Sequence, residues 1–577
     1  MNYPTPAIVA QGAVQRLPRL ALALLCLAYV LPGFFGRVPW RSADMTAFGY
    51  MAELATGKGH WFAPQLMGLP PDIDALLPYW LGAWAITLTQ GWLAPDLAAR
   101  LIFVLLLTLT LVATWYGTYY LARSPQAQPV AFAFGGEARP NDYARAIADG
   151  GLLALVACLG LAQLSHETTP ALAQLAFTAV VFFAVAALPC HRCWPLLAAA
   201  LGLAGLALSG APALAVCLGL GSAVIYLLDR SPEPEQKTRH RLVAFGLVGL
   251  TVLVALLAYG SGLWRWRVDL PQADWQEWRR LGRLLLWFTW PAWPLALWTL
   301  WRWRFQWVRG GAPSRHLALP VWFVGVAVAA TLTTAASDRA LLLALPALAA
   351  LAAFALPTLK RSVAALIDWF TLLFFSGCAL IIWIIWVAMQ TGVPPKPAAN
   401  VARLVPGFEP DFNLLPFAIA LTATLVWVWL VTWRVGRHRQ ALWKSLVLPA
   451  GGAALCWLLL MTLWLPLLDF ARSYAPLVRR TLVVMKQPPS CVEVHGLNRG
   501  QIAAFRFHGK LNLKPAGTGP DCPWLIADKD ALPSMKDVVN LNDWKFHSAL
   551  KHPSDRNEDL MVFKRSLDMN PRVGIGK

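Results

Sequence analysis

The sequence predicts a polytopic α-helical membrane protein of about 13 transmembrane helices with a small C-terminal α/β domain. Three observations lead there. Of its 577 residues 58% are hydrophobic and only 14% charged, and the mean hydropathy is +0.52, a balance that an ordinary soluble domain does not need. Apolar runs of spanning length recur along most of the chain. After Phe470 the composition turns abruptly to mixed polar residues with short apolar runs such as Thr481 to Met485, Gln501 to Phe507 and Leu560 to Phe563, the pattern of short strands and helices.

Taken in order, the apolar runs place helices near 18–36, 97–122, 148–164, 170–189, 195–209, 212–228, 242–261, 284–301, 317–335, 340–357, 363–390, 413–434 and 445–468. The first resembles a signal-peptide core, yet no small-residue cleavage site follows it and more spans do. It reads as an uncleaved first helix. Two regions result: a membrane region over 1–470, whose first outer loop spans 37–96, and an outer domain over 471–577.

The net charge of +19 falls largely in short loops between apolar runs, where Lys and Arg set topology rather than grip nucleic acid. With Arg16 and Arg19 inside, the inner loops hold the richer set of cations, including Arg123, Arg139, Arg145, Arg302, Arg304, Arg434 and Lys444. The first loop and the C-terminal domain then face outward, which in a bacterium means an inner-membrane protein facing the periplasm. One outer segment departs from the rule: 261–282 carries Arg265, Arg267, Arg279 and Arg280 among four tryptophans. Alternating Trp and Arg suits a helix in the headgroup layer, either holding phosphate or anchoring to lipid.

The first loop is where chemistry concentrates. Asp44 is the only acid between Phe35 and Tyr50 and opens a helical pattern that Trp61 and Pro64 close, ahead of the interfacial cluster Leu77-Pro78-Tyr79-Trp80. A carboxylate at a water-facing helix mouth serves as a base, or stabilises charge on a sugar ring; the same residue equally suits a helix cap. Lys58, His60 and Arg100 are further cations nearby, and Asp72 and Asp74 are loop acids able to meet substrate or metal. The second outer loop, Leu164 to Pro170, brings His166 and Glu167 to the outer mouth of two spans, where they complete an acidic site, ligate a divalent cation, or simply solvate a turn. Ser337-Asp338-Arg339 sits in a later outer turn, where Arg339 suits a lipid phosphate or an ion pair. Trp61, Tyr79 and Trp80 offer stacking surfaces for a sugar or lipid, or interface anchors.

Cys491 and Cys522 lie in the outer domain while the other seven cysteines lie in or beside spans, so a disulfide between these two is expected. The Cys190-His191-Arg192-Cys193 spacing has no second pair to make a metal site. No cofactor is implied with certainty, and a divalent cation has a place only at the carboxylates. No nucleotide-binding loop is present, so a sugar donor used on the outer face has to arrive already activated on a lipid. A polyprenyl phosphate sugar meets that need.

These residues resemble the GT-C membrane glycosyltransferases, in the branch that contains the lipid A aminoarabinose transferase and the protein O-mannosyltransferases. The matching positions are Asp44, Gly59-His60-Trp61-Phe62-Ala63-Pro64, Gly68, Leu77-Pro78-Tyr79-Trp80 and Ala99-Arg100-Leu101, with Glu167 and the Arg339 to Pro346 segment similar to later motifs. Met45 stands where the family has a second acid, and Ile73-Asp74-Ala75-Leu76 where it has Glu-Lys-Pro-Pro. The resemblance implies an inverting glycosyltransferase that moves a sugar from a polyprenyl phosphate to lipid A or another lipid or glycan acceptor, with Asp44 and Glu167 catalytic. His166, Arg339, Arg265, Arg267, Lys58, Trp61, Tyr79, Trp80 and Asp74 are its expected substrate contacts, and membrane lipids its surroundings. Two other readings share the pattern: a transporter or flippase without bond chemistry, and a degenerate envelope scaffold. Candidate charges at the outer mouths rather than the bilayer midplane favour the enzyme.

Overall fold

In the computed structural model the described residues are 5–41, 43–57, 59–191, 193–228, 234–264, 274–308, 314–334, 337–435, 441–486, 489–518, 522–555 and 558–566. Among them eight helical segments are long and apolar enough to cross a membrane: Pro95–Ala122, Pro170–Ala187, Thr238–Gly260, Arg315–Leu332, Asp338–Thr358, Arg361–Thr391, Leu414–Arg434 and Lys444–Leu463. This is a multi-pass membrane protein. Five other expected spans take different forms. Arg19–Val30, Trp194–Leu208 and Pro212–Leu228 are apolar helices of 12, 15 and 17 residues. The run at 148–164 lies within and beyond a helix that starts earlier, Pro140–Ala157, and the run at 284–301 is divided between Trp275–Phe288 and Ala292–Arg302.

Burial separates the spans into a core and a periphery. Pro170–Ala187 and Asp338–Thr358 have 83% and 89% of their apolar windows covered by protein, against 11% for Leu414–Arg434. The buried ones are rich in alanine, which lets helix backbones approach closely where lipid offers no hydrophobic incentive to associate. The exposed one presents Leu425, Val428 and Trp429 outward, as a lipid-facing helix must.

The first loop, expected to hold amphipathic helices, contains the one opening at Asp44, which runs Ala43–Ala55 and is here called the loop helix, and the more uniformly apolar Leu77–Leu88. Past the last span, the short Leu465–Arg472 helix, here the hinge helix, leads into the C-terminal unit. That unit is a five-stranded sheet of β1 (Val492–His495), β2 (Leu513–Pro515), β3 (Trp524–Asp528), β4 (Trp544–Lys551) and β5 (Asp559–Arg565) in the order β2-β1-β3-β5-β4. β1 runs parallel to β2 and β3, with Val492 opposite Leu513 and Trp524; β5 returns antiparallel between β3 and β4. A Cys491–Cys522 disulfide joins the entries to β1 and β3.

After β1, Asn498 and Gln501 form a reciprocal capping box that starts the Arg499–Phe507 helix, and this docking helix lies on the loop helix. A Cβ on Gly49 would stand 2.6 Å from the Cβ of Ala503, so the two backbones meet at their smallest residues. Phe48 meets Phe507 edge to face at 4.7 Å, and Glu53 pairs with Arg506 at 2.6 Å. Arg499 holds the loop further on, through the Pro70 carbonyl at 2.7 Å and Asp72 at 2.6 Å.

Gly49→Ala gains about 1 kcal/mol of helix propensity, yet it is expected to lower the thermal midpoint of the detergent-solubilised chain, because overpacking a tight contact costs about 1–3 kcal/mol. Ala503→Gly in the same chain should restore most of the loss. Equal midpoints for the three proteins would show that the helices do not meet there.

Candidate active site

The site is assembled from three segments distant in sequence. After the Arg19–Val30 helix the chain turns through Gly33 and Gly36, both at positive φ; a Cβ on Gly33 would stand 2.6 Å from the Trp457 ring, so only glycine fits the turn. The turn delivers Arg37 into the interior. Its Nη1 donates to Asp44 Oδ2 at 2.6 Å, Nη2 to the His166 carbonyl at 2.7 Å, and Nε to the Gly33 carbonyl.

Asp44, at the start of the loop helix, is 2% exposed. Besides Arg37, its Oδ2 accepts from the Trp40 amide at 3.0 Å, while Oδ1 accepts from the Thr168 amide at 2.9 Å and from the Thr168 hydroxyl. Burial acts against the ionised form, but the Arg37 charge and the bonds from Thr168 and Arg37 more than offset it and hold the carboxyl below the usual carboxylate range. A carboxylate with four donors is a junction between the first and second loops.

Glu167, immediately before Thr168, has the opposite surroundings. It is buried, and among the described residues its one ion pair is with Arg339, whose Nη2 lies 3.1 Å from Oε2. Burial lifts the Glu167 carboxyl above its usual range; Arg339 pulls it down, and the Asp44 charge adds to the rise. The structure thus brings Asp44, Glu167 and Arg339 to one end of the bundle.

The hinge helix supplies the third segment. Asp469 accepts from the Val38 amide at 3.1 Å and the Trp40 indole N–H at 3.2 Å. The Trp40 ring lies between two guanidinium groups, Arg37 at 4.6 Å and Arg472 at 5.2 Å from its centroid. Arg472 is half-buried and, among the described residues, makes no ion pair. Burial weakens its hold on a proton, Glu167 strengthens it, and Arg41 and Arg37 weaken it further. A cation in that setting favours the arrival of an anion.

The other expected site residues are placed as follows. His166 is 2% exposed, packed among Tyr29, Phe34 and Trp457, with Nε2 3.0 Å from the Tyr29 carbonyl and Nδ1 against the Ala162 carbonyl. Burial brings its pKa down to about 4, so the ring is neutral and braces the second loop. Tyr79 is buried against Tyr50, and its hydroxyl donates to the Ile73 carbonyl at 3.4 Å. Trp80 donates to the Trp61 carbonyl at 2.7 Å, and Trp84 bridges the Trp61 and Trp80 rings. Asp74 is half-buried, with its backbone against the turn at Gly210. Lys58, Arg265 and Arg267 lie outside the described residues. Among the described residues no group of three His, Cys, Asp or Glu side chains is arranged to hold a metal ion.

Arg37, Trp40, Thr168, Asp469 and Arg472 escaped the sequence reading. The signal for Arg37 was available: a cation seven residues before an acid, both at membrane depth, calls for pairing.

The chain has the GT-C membrane fold. It is similar to the crystal structure of ArnT from Cupriavidus metallidurans bound to undecaprenyl phosphate, at 13% identity and a TM-score of 0.56, over 95% of this chain and 98% of that one. The apo state of the same ArnT gives 14% identity and a TM-score of 0.56, over 94% and 96%. No family model matches the sequence, and neither does any curated protein sequence.

Asp44→Ala leaves Arg37 buried without its counter-charge, a change that costs about 3–5 kcal/mol. The thermal midpoint of the full chain is expected to fall sharply, and Arg37→Met/Asp44→Leu to recover part of it. A double variant no more stable than the single one would contradict the buried pair.

Proposed function

We propose that the protein is an inverting glycosyltransferase of the bacterial inner membrane, moving one sugar from a polyprenyl phosphate to a lipid or glycan acceptor on the periplasmic side. The observation that carries this reading is the pairing of an ionised, fully bonded Asp44 with a Glu167 of raised pKa, beside Arg339 and Arg472. Two neighbouring carboxyls pushed in opposite directions is a recurring sign of acid–base chemistry. The ArnT that shares the fold has undecaprenyl phosphate bound, and the positive-inside distribution of the loops supports the orientation.

Glu167 acts as the base. It takes the proton from the acceptor hydroxyl as that oxygen attacks the anomeric carbon, and the bond from that carbon to the phosphate oxygen breaks with its electron pair leaving on the phosphate. Arg339 and Arg472, joined in the proposal by Arg265, Arg267 and Lys58, stabilise the departing phosphate. Asp44 fixes the two loops so that Glu167 meets the acceptor, and His166 braces the second loop; Trp61, Tyr79 and Trp80, with Asp74 near them in the first loop, shape the donor cleft. Lipid A is one acceptor that suits this placement.

Two measurements test the reading. Mass spectrometry of lipid A, other glycolipids and surface glycans from a deletion strain should show the loss of a single sugar mass; unchanged glycolipids and glycans would refute it.

Once that product is identified, Glu167→Gln should reduce transfer about 10²–10⁴-fold while undecaprenyl phosphate still binds. Because the base works only when ionised, the acid limb of kcat/KM should lie above that of an ordinary carboxylate. Arg339→Ala removes the charge that pulls Glu167 down, so the limb should move to still higher pH. A limb that stays in place would remove Glu167 from the role.

A further inference from the structure

Between the loop helix and the C-terminal unit lies a cleft of about 520 Å³ that the transfer chemistry above leaves unused. That volume is within the ~300–1,000 Å³ of small-molecule sites. Its floor is apolar: the half-buried Phe507 ring lines it, with the buried Phe48 ring packed edge to face behind. Its rim is polar: Glu53 and Arg506 form an ion pair through Oε2 and Nη1 at 2.6 Å, and exposed Lys510 and Asn512 complete the opening opposite Thr56. Lys510 has a φ of 49°, a left-handed conformation rare outside glycine.

We infer that this cleft binds an acidic saccharide, through the Phe507 ring below and Glu53, Arg506, Asn512 and Lys510 around it. The assignment follows from the chemistry of the walls. A sugar ring has C–H faces that pack on aromatic rings, and edge hydroxyls that both donate and accept. Glu53 accepts, Asn512 does both, and the guanidinium of Arg506 carries five N–H donors, of which the pair with Glu53 uses only part. An acyl chain would cover the Glu53–Arg506 pair without replacing its water hydrogen bonds, an unfavourable exchange. Glu53 and Arg506 neutralise each other, so Lys510 leaves the rim with one surplus positive charge, which selects a carboxylate or phosphate on the glycan.

The cleft begins one helical turn beyond Asp44 on the same helix. A glycan anchored there is held by contacts remote from the reacting hydroxyl, and such contacts are how an enzyme commits binding energy to orienting a substrate. Taking the glycan to be part of the acceptor rests on the proposed transferase function; the binding itself does not.

Full-length protein in phosphatidylcholine nanodiscs, titrated calorimetrically with trigalacturonate and with maltotriose, tests this. Trigalacturonate should bind at least about tenfold more tightly than the neutral sugar. Lys510→Glu should abolish that preference, and Thr56→Trp, which fills the cleft from an exposed position, should weaken both sugars at least about tenfold, a difference of about 1.4 kcal/mol. Undecaprenyl phosphate binding should be unchanged in both variants. Protein that binds undecaprenyl phosphate but neither sugar overturns the cleft, as does sugar binding unaffected by Thr56→Trp. Protein that binds trigalacturonate in the expected pattern but not undecaprenyl phosphate supports the cleft and removes the donor proposed above.

Discussion

The junction between the first and second loops depends on one buried carboxylate. Asp44 is held by Arg37, Trp40 and Thr168, four donors from two separate stretches of chain. Ionised groups leave water only at a cost of several kcal/mol each, recovered only when geometry and additional hydrogen bonds are both good. Here both conditions hold, because two of the donor residues are themselves fixed: Arg37 by the Gly33 and His166 carbonyls, Trp40 by Asp469. The consequence is positional. Whatever orients Asp44 also orients the residue beside Thr168, which is Glu167.

The two carboxyls therefore divide the work by environment. Asp44 is ionised and has its lone pairs occupied, so it is a poor proton acceptor despite standing where the family resemblance expects the catalytic acid. Among the described residues Glu167 has a single ion pair, and its pKa is raised, so it holds a proton more readily than a free carboxyl. Arg472, stacked on Trp40 with no acid in ion-pair contact among the described residues, adds positive charge without needing to break a pair.

Much of this was legible in the sequence, and the parts that were not have physical causes. Hydropathy identified a polytopic helical protein because lipid permits few alternatives. It overstated the uniformity of the helices, since a run of apolar residues does not reveal that Trp290, Pro291 and their neighbours divide one expected span, or that the first helix stops at Val30. The Leu77–Leu88 helix was read as an aromatic belt because its Pro78 and three aromatic residues suit an interface equally well. Asp44 and Glu167 stood out as acids at helix mouths, but periodicity cannot bring residue 44 to residue 168. Arg37 was hidden by its likeness to the topology-setting arginines around it, and Arg472 by its place at the seam between two compositions.

The polar first loop poses a problem that the C-terminal unit solves. A loop helix with Asp44, Phe48, Gly49 and Tyr50 all buried cannot gain that burial from lipid, because its ends carry charges and the adjoining chain is polar. A covering surface has to come from protein on the aqueous side. The docking helix provides it with small residues at the contact and charges at its edge, Arg499 to Asp72 and Arg506 to Glu53, while Arg41 reaches back to Asp555 at 2.9 Å. Surface ion pairs of this kind contribute little stability singly; their value is in fixing register over a contact whose core is a few small and aromatic side chains. The unit after the last span thus covers the loop helix that carries Asp44.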